Sequence, residues 1–371
     1  MTGGAPDWWV IGNPENRRVR LFQAALQQAG LAPARCVSYQ DFLDRGPAAL
    51  KEIAPGSVVR LESPGECFPV EQRILALGGV AGAMALTEER GRIHHPGPWF
   101  AGFTRLMAGL RQALPQVRWF NHPDDIVTLF DKPRCKALLA PHTLPPCPAF
   151  ASAAAFRTWA RAQPRGRFFV KLNYASSASG ILAYDHNRRS GEELAYSTVE
   201  RVPTPQGAKY FNSLKIARYR DGREIGAILD FLFAQGALVE PWIPKAAHAG
   251  MAYDLRVLAI AGQRQHAIAR LSRSPMTNLH LGNRRCPVEA LELDEARWRQ
   301  IDTLVAQTMA HFPRSLYAGL DVLLPRHGGA PVLLEANAFG DLLPELRHQG
   351  RCTYLAEIAA FCARNDLGLA A

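Results

Sequence analysis

Lysine is scarce in this chain. Of 43 basic side chains in 371 residues, only those at 51, 132, 136, 171, 209, 215 and 245 are lysine. Where a sequence defaults to arginine, a lysine at a strand end stands out, because its compact point charge is not mimicked by a guanidinium. Long apolar runs are also missing. No stretch reaches the length of a bilayer span, and no basic segment followed by an apolar one marks a leader. The first residues, MTGGAPDWWVIG, read as a short tail entering a strand, so the expected location is the cytoplasm, with no membrane partner. Cys-x-x-Cys does not occur, and the 7 cysteines are odd in number. That excludes a zinc ribbon, argues against a disulfide framework and fits a reducing compartment. The net charge of +10 comes without a dense basic tract or an aromatic–basic pattern. Nucleic acid is therefore not expected as a partner, and an anionic substrate suits the charge better.

What remains is patterned as an α/β protein too long for a single core. WWVIGNPENRRVRLFQAALQQAGL reads as strand, loop and helix, with Asn13, Pro14 and Asn16 as turn and cap residues. ARCVSY and GSVVRLES are further strands, and EQRILALGG is helical, so residues 1–125 predict a parallel α/β layer. DKPRCKALLA starts a helix, PHTLPPCPAF is an extended connector, and SAAAFRTWARA is a helix capped by Ser152. GRFFVKLNYASSASGILAYD reads as strand, polar loop, strand. Residues 206–240 read as strand, turn, helix, strand. Two hairpins follow, one turning at Ala261-Gly262 and one within RHGGA.

The second hairpin carries the strongest chemical signal. With its turn centred near Gly328, Asp321 and Glu335 become cross-strand neighbours, and Asn337 shares their face. Two adjacent carboxylates flanked by apolar residues repel unless a cation or a shared proton lies between them. Two acids and an amide oxygen suit Mg²⁺. Lys171 ends the strand RFFV, and the loop NYASSASG behind it would expose backbone N–H groups and the hydroxyls of Ser176, Ser177 and Ser179 to an anion; Ser-rich turns are also common without that role. LVEPWIPK is a strand running into an extended hinge at Glu240, or a plain linker. Asp254, Arg256, Arg270, Asn278 and His280 fall on or beside the first hairpin, where Arg270 and Asn278 could reach a phosphoryl group.

In order and spacing, DKPRCKALLA, FFVKLNYASSASGI, LVEPWIPKAAHAGMAYDLRVLAIAG, AIARLSRSPMTNLHLGN and GLDVLLPRHGGAPVLLEANAFGD resemble the ATP-grasp ligases. The branch most similar is that of the ribosomal-protein glutamate ligases and related peptide ligases. The whole chain also resembles the STM4014 family of bacterial proteins, a name that carries no reaction. The resemblance implies an ATP-grasp fold, two α+β lobes clasping ATP, behind a parallel α/β domain. The implied bounds are 1–125 for that domain, 126–238 for a linker helix and central lobe, and 239–371 for the C-terminal lobe. It also implies the cofactors ATP and Mg²⁺, the latter as two ions held by Asp321, Glu335 and Asn337. Lys132 and Lys171 would meet the phosphates. Glu240 and Ile243 would meet adenine through the backbone, with Trp242 beside the ring. Asp254 would approach the ribose with Arg256 nearby, and Arg270, Asn278 and Lys171 would serve the transfer. The phosphate loop departs from the family in being rich in serine and alanine rather than glycine.

The implied activity is a carboxylate–amine ligation through an acyl-phosphate, with small-molecule or peptide carboxylate and amine substrates. The alternatives within the fold are a kinase, a peptide macrocyclase and an inactive nucleotide-binding scaffold. The domain before residue 130 has no nucleotide motif, and its strand-end loops are where ligands bind in open α/β sheets. There the expected substrate residues are Arg60 for a carboxylate, Glu62 or Glu66 for an amine, and Asn13; His280, outside that domain, is a further candidate.

Overall fold

A computed structural model describes residues 6–367 apart from 177, 340, 341 and 344. Four short strands, β1 (Trp8–Gly12), β2 (Arg35–Ser38), β3 (Val58–Leu61) and β4 (Arg118–Trp119), form an all-parallel sheet in the order β2-β1-β3-β4. All five residues of β1 and all four of β3 are buried, as expected for parallel strands covered on both faces. Helices α1 (Arg17–Gln28), α2 (Tyr39–Arg45), α3 (Phe68–Leu77) and α4 (Pro96–Ala113) cover them. The side chain of Asn16 accepts the Arg18 N–H and caps α1.

Helices α5 (Pro123–Phe130) and α6 (Lys132–Leu138) lead out of this layer, with Asp131 capping α6 and Pro133 in its first turn. A second sheet follows α7 (Ala153–Ala162). It contains β5 (Arg167–Leu172), β6 (Ile181–His186), β7 (Glu193–Thr204), β8 (Gly207–Tyr219) and, after α8 (Gly222–Ala234), β9 (Ala237–Pro241). Its antiparallel order is β8-β7-β6-β5-β9. Phe156, Phe168, Val170, Tyr184, Ile228 and Leu232 fill the space between this sheet and its two helices.

The third sheet contains β10 (Ala247–His248), β11 (Met251–Ile260), β12 (Gln263–Ser272), β13 (Arg284–Pro287), β14 (Tyr317–Leu323) and β15 (Val332–Asn337). Its main order is β13-β12-β11-β14-β15, with α9 (Glu295–Ala310) between β13 and β14. Ala261 and Gly262 both have positive φ at the β11–β12 turn, the conformation a tight two-residue hairpin needs. One continuous apolar core joins the first and third sheets, from Trp9, Ile11 and Val59 to Val257, Leu320 and Leu333. The last helix, α10 (Thr353–Arg364), brings Tyr354 and Phe361 against Trp8, Phe22 and Phe120. Among the described residues no helix is long and apolar enough to cross a membrane.

The interior of this junction holds charge. Arg60 on β3 is completely buried and bonds Glu62 Oε1 at 2.6 Å and Glu357 Oε2 of α10 at 2.5 Å. Phe22, Tyr317, Tyr354 and Phe120 surround its guanidinium at 4.8–5.5 Å from their ring centres. Arg60 and Glu62 therefore bind the first layer to the last helix and have no surface with which to hold a substrate. That corrects the expectation drawn from their place near a strand end. Asn13 is corrected in the same way. It is buried, and its amide donates to the carbonyls of Pro64 and Gly65 at 3.1 and 3.0 Å, so it fixes a loop instead of meeting a ligand.

Candidate active site

The third sheet lays a row of charge across three strands. Register pairs Arg256 of β11 with Asp321 of β14, and Asp321 with Glu335 of β15. Asn337 is opposite Gly319, two residues along on the same face. On the other side of β11, Asp254 pairs with Arg270 of β12. Apolar residues alternate with these groups and point into the core, so the strand period puts every charged side chain on one face. Gly319 leaves room for this packing, since a Cβ there would sit 3.1 Å from Arg256 Nη1.

The row is linked by ion pairs. Arg256 Nη1 lies 2.8 Å from Asp321 Oδ1, and Arg270 Nη2 lies 3.1 Å from Asp321 Oδ2. Arg270 Nε donates to Asp254 Oδ1 at 2.8 Å, while Asp254 Oδ2 accepts Lys245 at 2.9 Å and the Thr277 hydroxyl. Burial alone would lower the basicity of Arg270; the Asp254 and Asp321 carboxylates overcome it and raise the pKa. Burial likewise opposes the charge of Asp254, and Arg270 and Lys245 hold its pKa down.

A second set of cations faces this row from the other sheet and from α6. Lys171 of β5 and Lys136 of α6 bond the two oxygens of Glu240 at 2.6 and 2.5 Å. Burial would raise the pKa of Glu240, but Lys171 and Lys136 bring it to about 2. Burial opposes the charge on Lys171, and Glu240 followed by Glu335 outweighs it, so the pKa is raised. Lys132 lies 3.3 Å from Glu335 Oε1 and also donates to the carbonyl of Ala175 at the base of the loop. That loop needs one glycine: Gly180 has φ of +66°, and a Cβ would approach Leu172 to 2.3 Å.

Lys136 lies behind Glu240, and Lys132, Lys171, Lys245, Glu240, Glu335 and the charged row of the third sheet line one cavity of about 260 Å³. Of the residues expected from the sequence, Lys132, Lys171, Ser176, Ser179, Glu240, Ile243, Asp254, Arg256, Arg270, Asn278, His280, Asp321, Glu335 and Asn337 are brought together around it. Ser177 lies outside the described residues. Trp242 does not line it. The indole packs 5.5 Å from Phe169, with the Arg167 guanidinium over it, and the backbone N–H of Trp242 donates to the Arg167 carbonyl. The expectation that Trp242 stands beside an adenine ring is therefore corrected, while Ile243 does line the cavity. Asp254 is corrected too: three donors already meet its two oxygens, so it anchors Arg270 and Lys245 and is not an open acceptor for a ribose.

Three further polar groups at the site are not among the residues expected from the sequence: Lys136, Lys245 and Thr277. The scarcity of lysine pointed at two of them, since four of the seven lysines, 132, 136, 171 and 245, gather here. Lys136 also follows Lys132 at the four-residue spacing that shares a helix face.

Among the described residues no three His, Cys, Asp or Glu side chains cluster as a metal site. The donor set is instead two carboxylates and an amide, which fits a hard cation that takes its other ligands from phosphate or water. Asp321 Oδ1 supports the fit. It is buried, and Arg256 Nη1 beside it lacks hydrogen-bond alignment, so neither atom has an aligned partner. The Asn337 amide group donates to the Gly319 carbonyl at 3.3 Å, which leaves its oxygen as the atom that could face a cation.

With ATP as the nucleotide that the sequence resemblance implies, the lysine geometry leads to a direct expectation. Lys171→Ala should weaken ATP about 10- to 100-fold, the range of one charged hydrogen bond, and leave adenosine within twofold. Lys136 still neutralises Glu240, so the fold should persist. Lys171→Arg should not restore the affinity, because a forked guanidinium does not replace a point charge. Calorimetry with both ligands decides it; equal losses would remove Lys171 from the phosphate site.

No family model and no curated protein matches the sequence. Solved structures do match the fold. The ATP-grasp ligase PsnB, solved with the precursor peptide PsnA2 and AMPPNP, has a TM-score of 0.53 at 14% identity, covering 97% of this chain and 99% of its own. D-cycloserine synthetase DcsG has a TM-score of 0.55 at 14% identity, covering 95% and 98%. D-alanine–D-alanine ligase from Bacillus anthracis, solved with ATP, has a TM-score of 0.52 at 13% identity, covering 99% and 100%. By architecture, this chain has the ATP-grasp fold.

Proposed function

We propose that the protein is an ATP- and Mg²⁺-dependent ligase that joins a carboxylate to an amine through an acyl-phosphate. The observation that carries this reading is the convergence of Asp321, Glu335 and Asn337 with Lys132, Lys171 and Arg270 on one cavity. The fold neighbours add support, since they include ligases solved with AMPPNP and with ATP. Mg²⁺, when bound to Asp321, Glu335 and Asn337, would neutralise phosphate charge. Lys132 and Lys171 would orient the phosphates from two sides of the cleft. Arg270, held by Asp254 and Asp321, would face the charge that develops on the transferred group. Ile243 would read the adenine edge. The substrate carboxylate oxygen attacks the γ-phosphorus and ADP leaves; the amine nitrogen then attacks the acyl carbon, phosphate leaves, and the nitrogen gives up its proton. Most of the catalysis falls to positioning and charge neutralisation. The STM4014 likeness adds no substrate to this scheme.

A macrocyclase reading has one specific support: the fold neighbours include macrocyclase MdnC bound with its precursor peptide MdnA, with a TM-score of 0.54 at 12% identity. It shares the acyl-phosphate and differs in drawing both reacting groups from one peptide. The test of the common step uses a substrate carboxylate labelled with heavy oxygen in both positions. One label should appear in each released phosphate. Unlabelled phosphate would sink the acyl-phosphate route and leave simple hydrolysis or a kinase.

A further inference from the structure

Every lysine and arginine lining the cavity, save one, is committed to a carboxylate. Lys132 pairs with Glu335, Lys171 with Glu240, Lys245 with Asp254, Arg256 with Asp321, and Arg270 with both Asp254 and Asp321. The exception is Arg18, at the start of α1. Its guanidinium has no carboxylate partner among the described residues, and it lines the same cavity. Glu66, on the loop after β3, lines it as well, and its only hydrogen bond among the described residues comes from Asn16 at 3.5 Å.

The two uncommitted charges belong to one construction. Asn16 accepts the backbone N–H of Arg18 at 2.9 Å and donates to the Glu66 carboxylate at 3.5 Å. Asn13 donates to the carbonyls of Pro64 and Gly65, the residues leading into Glu66. Two asparagines thus fix the backbone at the start of α1 and the 63–66 loop, and so place a residue with a cationic side chain and one with an anionic side chain on the wall contributed by the first layer. A wall meant only for nucleotide phosphate would gain nothing from an acid. A single-charge substrate would leave one of the two groups without a partner.

We infer that Arg18 and Glu66 form a clamp for a zwitterion, so that one co-substrate is an amino acid or a peptide end carrying both a carboxylate and an ammonium group. Arg18 takes the carboxylate and Glu66 the ammonium. The inference rests on the proposed ligase reading and names the substrate class for that same cavity. It moves the anion-binding role expected of Arg60 to a side chain that reaches the cleft.

The test is calorimetry on the full chain saturated with Mg²⁺ and AMPPNP, titrated with the common amino acids of both hands. At least one should bind. Converting its carboxylate to the amide, or removing its amine, should weaken it about 10- to 100-fold, as for loss of a charged hydrogen bond. Arg18→Gln should abolish the preference for the acid over the amide and keep the preference for the amine. Glu66→Gln should do the reverse. Mg²⁺–AMPPNP affinity should stay within twofold in both variants. If no amino acid binds, or if Arg18→Gln keeps its preference for the acid, the clamp is wrong. The nucleotide titration separates the two ideas: failure of AMPPNP to bind overturns the ligase reading, whereas binding of AMPPNP without any zwitterion overturns only the clamp.

Discussion

Glu335→Gln should lower ATP-dependent turnover by about 10³-fold, the rate equivalent of the several kcal/mol a divalent cation contributes at a transferring phosphoryl group. The change is nearly isosteric. The glutamine oxygen can still accept from Lys132, now 3.3 Å from the carboxylate, so folding should be little affected. The apparent Mg²⁺ affinity should fall along with the rate. Asp321→Asn gives an instructive contrast. Asp321 is almost fully buried and faces Arg256 and Arg270, so the amide leaves two guanidiniums short of charge. Breaking such a buried network costs about 3–5 kcal/mol. The aspartate variant should therefore lose both activity and stability, and the glutamate variant activity alone. Rate against Mg²⁺ concentration, with a denaturation curve beside it, separates them. Near-normal turnover in Glu335→Gln would mean that no metal depends on this row.

Much of this row is legible in the sequence because hairpin register follows from the position of the turn. Taking the turn at Gly328 makes Asp321 and Glu335 equidistant from it, and the observed register pairs them. A one-residue bulge just beyond Asp321 shifts Val322 to Leu333 without disturbing the charged pair. The Ala261-Gly262 turn and the Ser152 cap are equally local signals, and both are present. The place of Trp242 is not legible in the sequence, because its indole is captured by Phe169 and Arg167 on the neighbouring strand, a contact that no local pattern encodes. Lys136 and Glu240 are 104 residues apart, so only the packing of α6 on the second sheet reveals their pair. The role of Arg60 is hidden for the same reason at greater range. A charged residue near the end of a parallel strand normally signals a ligand site. Here its counter-ion comes from Glu357, 297 residues later, and the site is closed by α10.

That distant pair makes the second large effect. Arg60→Met should destabilise the protein by about 3–5 kcal/mol near pH 8, because it strands Glu62 and Glu357 in an interior with no cation. Substrate and ATP affinities of the folded fraction should not change, since Arg60 does not reach the cavity. The cluster also predicts a pH dependence. Burial pushes Glu357 up to about 7 from an ordinary value of 4.5, despite the opposing charge of Arg60, and Glu62 adds to the rise. Between those two values the folded chain holds a proton that the unfolded chain has released. The corresponding stability is fully present below about 4.5 and is lost as the pH rises through about 7. The buried groups facing Glu357 are Arg60, Glu62, Tyr317 and Tyr354, so a proton on Glu357 leaves one guanidinium opposite one carboxylate. Glu357→Gln copies that protonated form. It should remove this component of the pH dependence between about 4.5 and 7 and should exceed the parent in stability at pH 8. Urea denaturation of the parent, Glu357→Gln and Arg60→Met across pH 5 to 8 tests both claims. Parallel curves for the parent and Glu357→Gln would remove the proton from Glu357. An Arg60→Met variant of undiminished stability but weakened substrate binding would return Arg60 to the active site.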